Sequence, residues 1–184
     1  MAYTLEAFAK DAHDILIRDP SPMGREEIAR KLEALLAEDG FIAKYCEGQV
    51  PPGRTVLYED PKLGFQILRH AMVADHAGVP HDHGKSWAVY GQAVKHTDMT
   101  VWKRLDDGTE AGKAKLEKDK SYRLTRGKAG VYNGADIHSI AYPAGAIFIR
   151  VTGTDLEKVE RLRYDTDKGT VVAERRASMQ NAAA

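Results

Sequence analysis

Apolar residues in the first forty positions recur at three- and four-residue intervals, and beyond that point the recurrence shortens towards two. Leu5, Phe8, Ala9, Ala12, Ile15 and Leu16 share one face of a helix predicted over Thr4 to Arg18, with Thr4 as its N-cap. Asp19-Pro20-Ser21-Pro22 ends it, because each proline turns the residue before it away from helical angles. Ile28, Leu32, Leu35 and Leu36 form the stripe of a second helix over Arg25 to Asp39, and Gly40 stands where a C-terminal cap is expected. After Gly40 come short runs rich in Val, Ile, Tyr and Phe. The predicted strands are Arg54 to Tyr58, Gly64 to Val73, Trp87 to Val94, Thr97 to Arg104, Ser121 to Leu124, Gly130 to Tyr132, Ile137 to Tyr142, Ala146 to Thr152 and Arg161 to Tyr164. Turn signals such as Asp106-Asp107-Gly108, Asn133-Gly134 and Pro143-Ala144-Gly145 separate them, which is the texture of an all-β sandwich or barrel. The charge-dense segment Asp107 to Lys120 reads as an exposed loop. The predicted organisation is one structural domain: a helical extension over 1–40 packed on a barrel over 41–170, then a tail over 171–184 in which only Val171-Val172 is patterned and Asn181 to Ala184 is expected to fray.

Composition narrows the function classes. The chain has 184 residues, enough for one domain with a sizeable core. Its 27 basic and 27 acidic residues leave no net field to draw in nucleic acid or an anionic membrane, so neither is expected as a partner. Met1 to Lys10 lacks the basic start and apolar run of a signal peptide, and no stretch approaches 18 consecutive apolar residues, so the expected location is cytoplasmic. Cys46 is the only cysteine, which excludes an intramolecular disulfide and suits a reducing compartment.

The chemistry concentrates at Pro80-His81-Asp82-His83-Gly84. On an extended strand, side chains at i and i+2 leave the same face, so His81 and His83 point together while Asp82 points away. Two imidazoles on one rigid element suit a divalent transition metal, and such a site usually takes a third ligand from elsewhere in the fold. His138 is the candidate, since it opens an apolar alternation directly after the turn Asn133-Gly134.

An HxH pair at the start of one strand, a tight turn, and a lone His at the start of a later strand resemble the two-motif layout of the cupins. That resemblance implies a mainly β fold, a cupin double-stranded β-helix barrel with an N-terminal two-helix cap, and it gathers His81, His83 and His138 around one metal in the barrel mouth. Where the general cupin pattern carries a carboxylate, this chain has Trp87 and Ala88, so it looks like a three-histidine cupin. The His-Asp-His opening and the later lone His then resemble the thiol dioxygenases, the cysteine dioxygenase and 3-mercaptopropionate dioxygenase group. The likeness covers roughly Phe41 to Tyr164, and the two leading helices resemble the lead-in of bacterial members. By the same resemblance Arg54, followed by Tyr58 and Gly64-Phe65-Gln66-Ile67-Leu68, matches the arginine that binds the substrate carboxylate. It further implies iron(II) as the metal, with nickel, zinc or manganese also accepted by three histidines, a small carboxylated substrate with O2, and a homodimer formed through β-edges.

The family's Ser-His-Tyr acid-base trio falls here on Phe148, Arg150 and Thr152, and none of the three is retained. Cys46 lies far upstream of the position from which some members cross-link that tyrosine. Two other readings therefore stand beside thiol oxidation: a different metal-cupin reaction (isomerisation, hydrolysis or ring cleavage), or a non-catalytic cupin that binds a small anion. Arg150 is either a second anion anchor, on the inward parity of the trio, or a surface arginine on the outward one. His70 shares the parity of Leu68 and Met72 and either lines the site or serves as a structural donor. Tyr132 either donates to bound substrate or is a rim aromatic, and Trp87 either walls the pocket or fills the core. His76 and His96 read as solvated, and nothing places His13 near the metal.

Overall fold

The computed structural model describes residues 2–175. Thr4 does cap the first helix: its hydroxyl accepts from Ala7 N at 3.2 Å, and α1 runs Leu5–Arg18. The second helix, α2, runs Pro22–Leu36 and starts earlier than its apolar stripe suggests. Ser21 caps it by accepting from Met23 N, and Pro22 takes the first helical position, where a missing N–H costs nothing. Gly40 is not its cap. The helix closes at Ala37, and Gly40 lies inside a third short helix, α3 (Asp39–Tyr45), held down by buried Phe41 and Ile42.

The strands that follow are β1 (Gly53–Glu59), β2 (Gln66–Ala71), β3 (His76–Ala77), β4 (Ala88–Val94), β5 (His96–Arg104), β6 (Leu116–Thr125), β7 (Ala129–Tyr132), β8 (Ile137–Tyr142), β9 (Ile147–Thr152), β10 (Glu160–Asp165) and β11 (Thr170–Arg175). One antiparallel sheet has the order β1-β2-β9-β4-β7 and a second the order β3-β8-β5-β6, while β10 and β11 form a hairpin. Chain-distant strands alternate across the two facing sheets. This is a double-stranded β-helix arrangement, mainly β with a helical layer on one side.

The central strands β2, β9 and β4 are buried on both faces, so buried positions follow one another without the alternation of a half-exposed strand. Ile67, Val89, Ile147, Ile149 and Val151 face the helices and pack with Phe8, Ala12, Ile28, Leu32 and Leu36. The opposite face carries Ala88, Tyr90 and Phe148 into the barrel, where they meet Met99, Leu124 and Tyr132. Period two on β9 therefore sends Phe148, Arg150 and Thr152 inward, which decides Arg150's parity. Gly91 marks how closely α2 lies on the sheet, because a Cβ there would stand 2.6 Å from Leu32 Cδ2.

Two sequence expectations need correction. Residues 116–120, read as part of a loop, open β6; this is an edge strand with one face in water, so its Lys and Glu do not oppose strand formation. Thr170–Arg175 is a strand paired with β10 along its whole length, not unpatterned tail; its mostly polar, half-exposed face hid it. Of the two readings of Trp87, core filling holds: it precedes β4 and packs in the layer between sheet and helices, with Arg25 over its ring at 5.7 Å. The fraying expected for Asn181 to Ala184 lies outside the described residues.

Candidate metal centre

The site is assembled by backbone pairing before any side chain takes part. His81 N donates to His138 O and His138 N to His81 O, both at 2.9 Å, which fixes the loop before β4 against the start of β8. On its other side the loop is laced to β10: Tyr164 N donates to Pro80 O at 2.9 Å and Asp82 N to Leu162 O at 3.1 Å. The His-Asp-His segment is thus not a strand, as expected from its spacing, but an isolated bridge at His81 followed by a turn. Asp82 does point away from the imidazoles, and it is employed there: its Oδ1 accepts from Gly84 N and Leu162 N, both at 2.9 Å. Gly84 has φ +59°, and a Cβ would lie 2.3 Å from Glu160 O, so no other residue fits the turn.

This scaffold brings the three predicted histidines together. One ring nitrogen from each of His81, His83 and His138 can be chosen so that all lie within 4.8 Å of one another, and all three residues are buried. Ring centroids are 4.7 Å apart for His81 and His138, and 4.8 Å for His83 and His138. His81 Nδ1 lies 3.0 Å from Val79 O; a proton held there leaves Nε2 as the coordinating atom. His138 is fully buried, and neither of its ring nitrogens has a hydrogen-bond partner among the described residues. Burial, and after it the neighbouring His81, push its pKa well below the usual histidine range, so the ring is neutral and able to donate a lone pair. A buried imidazole with both nitrogens unmet is costly, and a divalent ion would satisfy the one that carries the lone pair. The donor set fits a divalent transition metal, which these three residues could hold.

No protein-family model matches the sequence, and no curated protein matches it. Among solved structures, the chain is similar to KdgF from Halomonas sp., with 16% identity and a TM-score of 0.40 over 57% of this chain and 83% of that one. It is similar to the Cnp3 cupin domain of Schizosaccharomyces pombe, at 10% identity and a TM-score of 0.41 over 55% of this chain and 64% of that one. A third likeness is to the DMSP lyase DddQ from Ruegeria pomeroyi, at 12% identity and a TM-score of 0.41 over 58% of this chain and 49% of that one. The chain therefore spans less than two thirds of the last two. The fold assignment rests on the strand order itself.

Beside His83 lies a narrow cavity lined by His83, Arg150, Leu156, Val159 and Arg161, of about 10 Å³, room for about one water. Arg150 is 4% exposed and sits 5.9 Å over the Tyr90 ring. Arg54, the other predicted anchor, does not line this pocket. It stands opposite His70 on β1, and its guanidinium is taken up by Asp155 Oδ1 at 3.2 Å and Glu157 Oε2 at 3.3 Å. His70 is buried in the barrel, stacked on Phe148 at 4.8 Å, in a run of rings that continues to Tyr90 and from there to His138. Tyr132 is a buried interior residue rather than a rim aromatic: its ring lies 4.1 Å from that of His138, and its hydroxyl pairs with Tyr122 at 2.6 Å. His76 is exposed and stacked on Tyr142, and His96 lies 3.9 Å from Asp98. His13 is remote from the centre, paired with Asp60 at 2.8 Å.

Two residues beside the site escaped the sequence reading. Tyr90, whose hydroxyl is 3.4 Å from His83 Nε2, hides in the run Trp87-Ala88-Val89-Tyr90, where burial of both faces erases the alternation that marks inward positions. Arg161 reaches the pocket only because β10 folds back over the His-Asp-His loop, and nothing in the sequence announces that return.

Proposed function

We propose that this protein is a mononuclear metal-dependent cupin enzyme, in which His81, His83 and His138 hold one divalent ion and a small carboxylated substrate binds beside it. The observation that carries this is His138, fully buried with both ring nitrogens unmet at the focus of two more buried imidazoles. Thiol-dioxygenase-like oxidation with iron(II) is the first reading. His81, His83 and His138 would hold the ion as three neutral ligands, leaving its charge uncompensated, and iron(II) bound there would supply the redox chemistry for O2-dependent oxidation of an anionic sulfur donor. In that reaction both oxygen atoms pass to sulfur, which supplies all four electrons, and no external reductant is needed.

The chain's own residues would bind and shield. Arg150 would hold the carboxylate through a charge-assisted contact, and the aromatic wall of Tyr90, Tyr132 and Phe148 would exclude water from one side. A second reading, another metal-cupin reaction such as isomerisation, hydrolysis or ring cleavage, is favoured by β9 itself. Its inward residues Phe148, Arg150 and Thr152 offer no imidazole or phenol at the positions where the thiol dioxygenases carry theirs.

Elemental analysis of protein purified without chelators, followed by oxygen uptake of the iron-loaded protein with a panel of thiols, tests both. One metal per chain, lost in His138→Ala, is expected, and full metal retention by that variant would overturn the site. Uptake with a thiol supports the first reading, and tight metal without uptake moves the assignment to the second.

A further inference from the structure

The cavity beside His83 is far too small for the substrate that the proposed centre would serve. At about 10 Å³ it has room for one water, and two of its lining residues, Leu156 and Val159, belong to the segment between β9 and β10. From the barrel interior the histidines are backed by the packed rings of Tyr90, Tyr132 and Phe148. An organic substrate therefore reaches His83 from the cavity side only when the wall formed by that segment moves.

Residues 153–159 form no strand, and they carry hydrogen bonds of their own: Asp155 O accepts from Lys158 N and Asp155 Oδ1 from Glu157 N, both at 3.1 Å. Leu156, 7% exposed, closes the cavity, and the carboxylates of Asp155 and Glu157 flank it in sequence. One guanidinium takes both. Arg54 on β1 lies 3.2 Å from Asp155 Oδ1 and 3.3 Å from Glu157 Oε2, and its Nη2 also donates to Gln66 Oε1 at 3.2 Å. Lys158 has a weaker claim on Asp155, 3.6 Å from Oδ2 with a side chain 82% exposed. With side-chain exposures of 18–27%, the Arg54 pairs are partly shielded but still open to salt, so they hold the segment without locking it. The closed segment rests directly on the His-Asp-His turn, since a Cβ on Gly84 would stand 3.0 Å from Val159 Cγ1.

We propose that residues 153–159 are a lid over the three histidines, latched shut by Arg54 through Asp155 and Glu157, and that the centre admits an organic substrate only when this latch opens and lifts Leu156. Arg54 acts on the lid and not on the substrate. That the lid gates a metal centre rests on the metal-cupin reading, whereas the latch stands on Arg54, Asp155 and Glu157 alone.

The test reads opening through a thiol placed under the lid. Leu156→Cys in a Cys46→Ala background gives metal-free protein with one thiol, and its rate of labelling by an aromatic disulfide reagent follows the open population. Adding Arg54→Met speeds labelling about tenfold, and adding Glu157→Gln about threefold, the factors expected for losing two partly shielded ion pairs or one. Half-molar sodium chloride speeds labelling when Arg54 is present and has little effect in Arg54→Met. Native Cys46, buried in the helical layer, is the control for opening of the rest of the molecule: in chains that keep Leu156, its labelling changes by less than about twofold on Arg54→Met. Zinc-loaded protein with Leu156 intact gives the second readout, since Arg54→Met releases zinc to excess chelator several-fold faster than wild type. Labelling under the lid that neither variant changes, or that rises no more than labelling of Cys46, overturns the latch. Faster labelling with unchanged zinc release overturns the gating of the histidines. Wild-type protein that takes up no zinc overturns the metal reading instead, and the labelling ratios then still decide the latch.

Discussion

At the scale of single residues, the centre depends on groups that touch no substrate. Asp82 sits between the two ligands of the first motif, yet its side chain serves the backbone, accepting from Gly84 N inside its own turn and from Leu162 N on β10. A buried acceptor that satisfies two backbone donors costs more to remove than the bonds contribute net, because both donors are then left unmet. Asp82→Ala should destabilise the protein by about 2–4 kcal/mol, from two unmet donors at roughly 1–3 kcal/mol each with partial relaxation. It should also loosen the aim of His81 and His83 and so weaken metal binding. Urea unfolding of metal-free protein measures the first effect, and a competition titration with a chromogenic chelator measures the second. A variant as stable as wild type would show that the turn is held by something other than this carboxylate.

At the scale of elements, α1 is fastened to the strand layer through one buried carboxylate, the clearest acid-sensitive joint in the molecule. Asp60 Oδ1 accepts from Leu63 N at 2.7 Å and Lys62 N at 2.9 Å; Oδ2 meets His13 Nδ1 of α1 at 2.8 Å and the Tyr58 hydroxyl at 3.2 Å. Burial works to raise this carboxyl, but the bonds from Leu63 N, His13 and Lys62 N outweigh it and hold the pKa below the usual carboxylate range. A folded-state pKa below the unfolded one means that the unfolded chain binds the proton more readily. The contribution is therefore fully present above about pH 4 and is lost as the pH falls through the depressed folded value. Asp60→Asn should be less stable than wild type at pH 7, and the gap should close below about pH 4. Unfolding free energies of both proteins from pH 7 to pH 2.5 check this, and a constant gap would place the stabilisation elsewhere.

At the scale of the whole molecule, what could be read from the sequence divides along physical lines. The helices and most strands were legible because each has an apolar period set by its own local burial. The three histidines were legible because their spacing reports on one loop and one strand start. What stayed hidden depended on contacts distant in sequence. Arg54 looks free until Asp155 and Glu157 arrive from the other end of the chain, and Arg161 looks like surface until β10 returns to His81. The first half of β6 was hidden by its charge, since an edge strand need not be apolar. That long-range return yields a further prediction. The His81–His83 loop is held on one side by β8 and on the other by β10, so a metal bound to His81, His83 and His138 fixes the loop on which the hairpin hangs. Binding to the folded state alone stabilises by roughly 2.7 kcal/mol at a hundredfold excess over the dissociation constant. Part of that stabilisation should act locally, against opening of the hairpin rather than against global unfolding. Hydrogen exchange followed by mass spectrometry should then show faster exchange at Leu162 and Tyr164, whose amides bond Asp82 Oδ1 and Pro80 O, when metal is removed from loaded protein. Peptides from α1 and α2, which pack on the opposite face of the sheet, should change little. Equal acceleration in all peptides would mean that the ion stabilises the fold only globally. No change at β10 would uncouple the hairpin from the metal centre and leave Arg161 positioned by Glu174 alone.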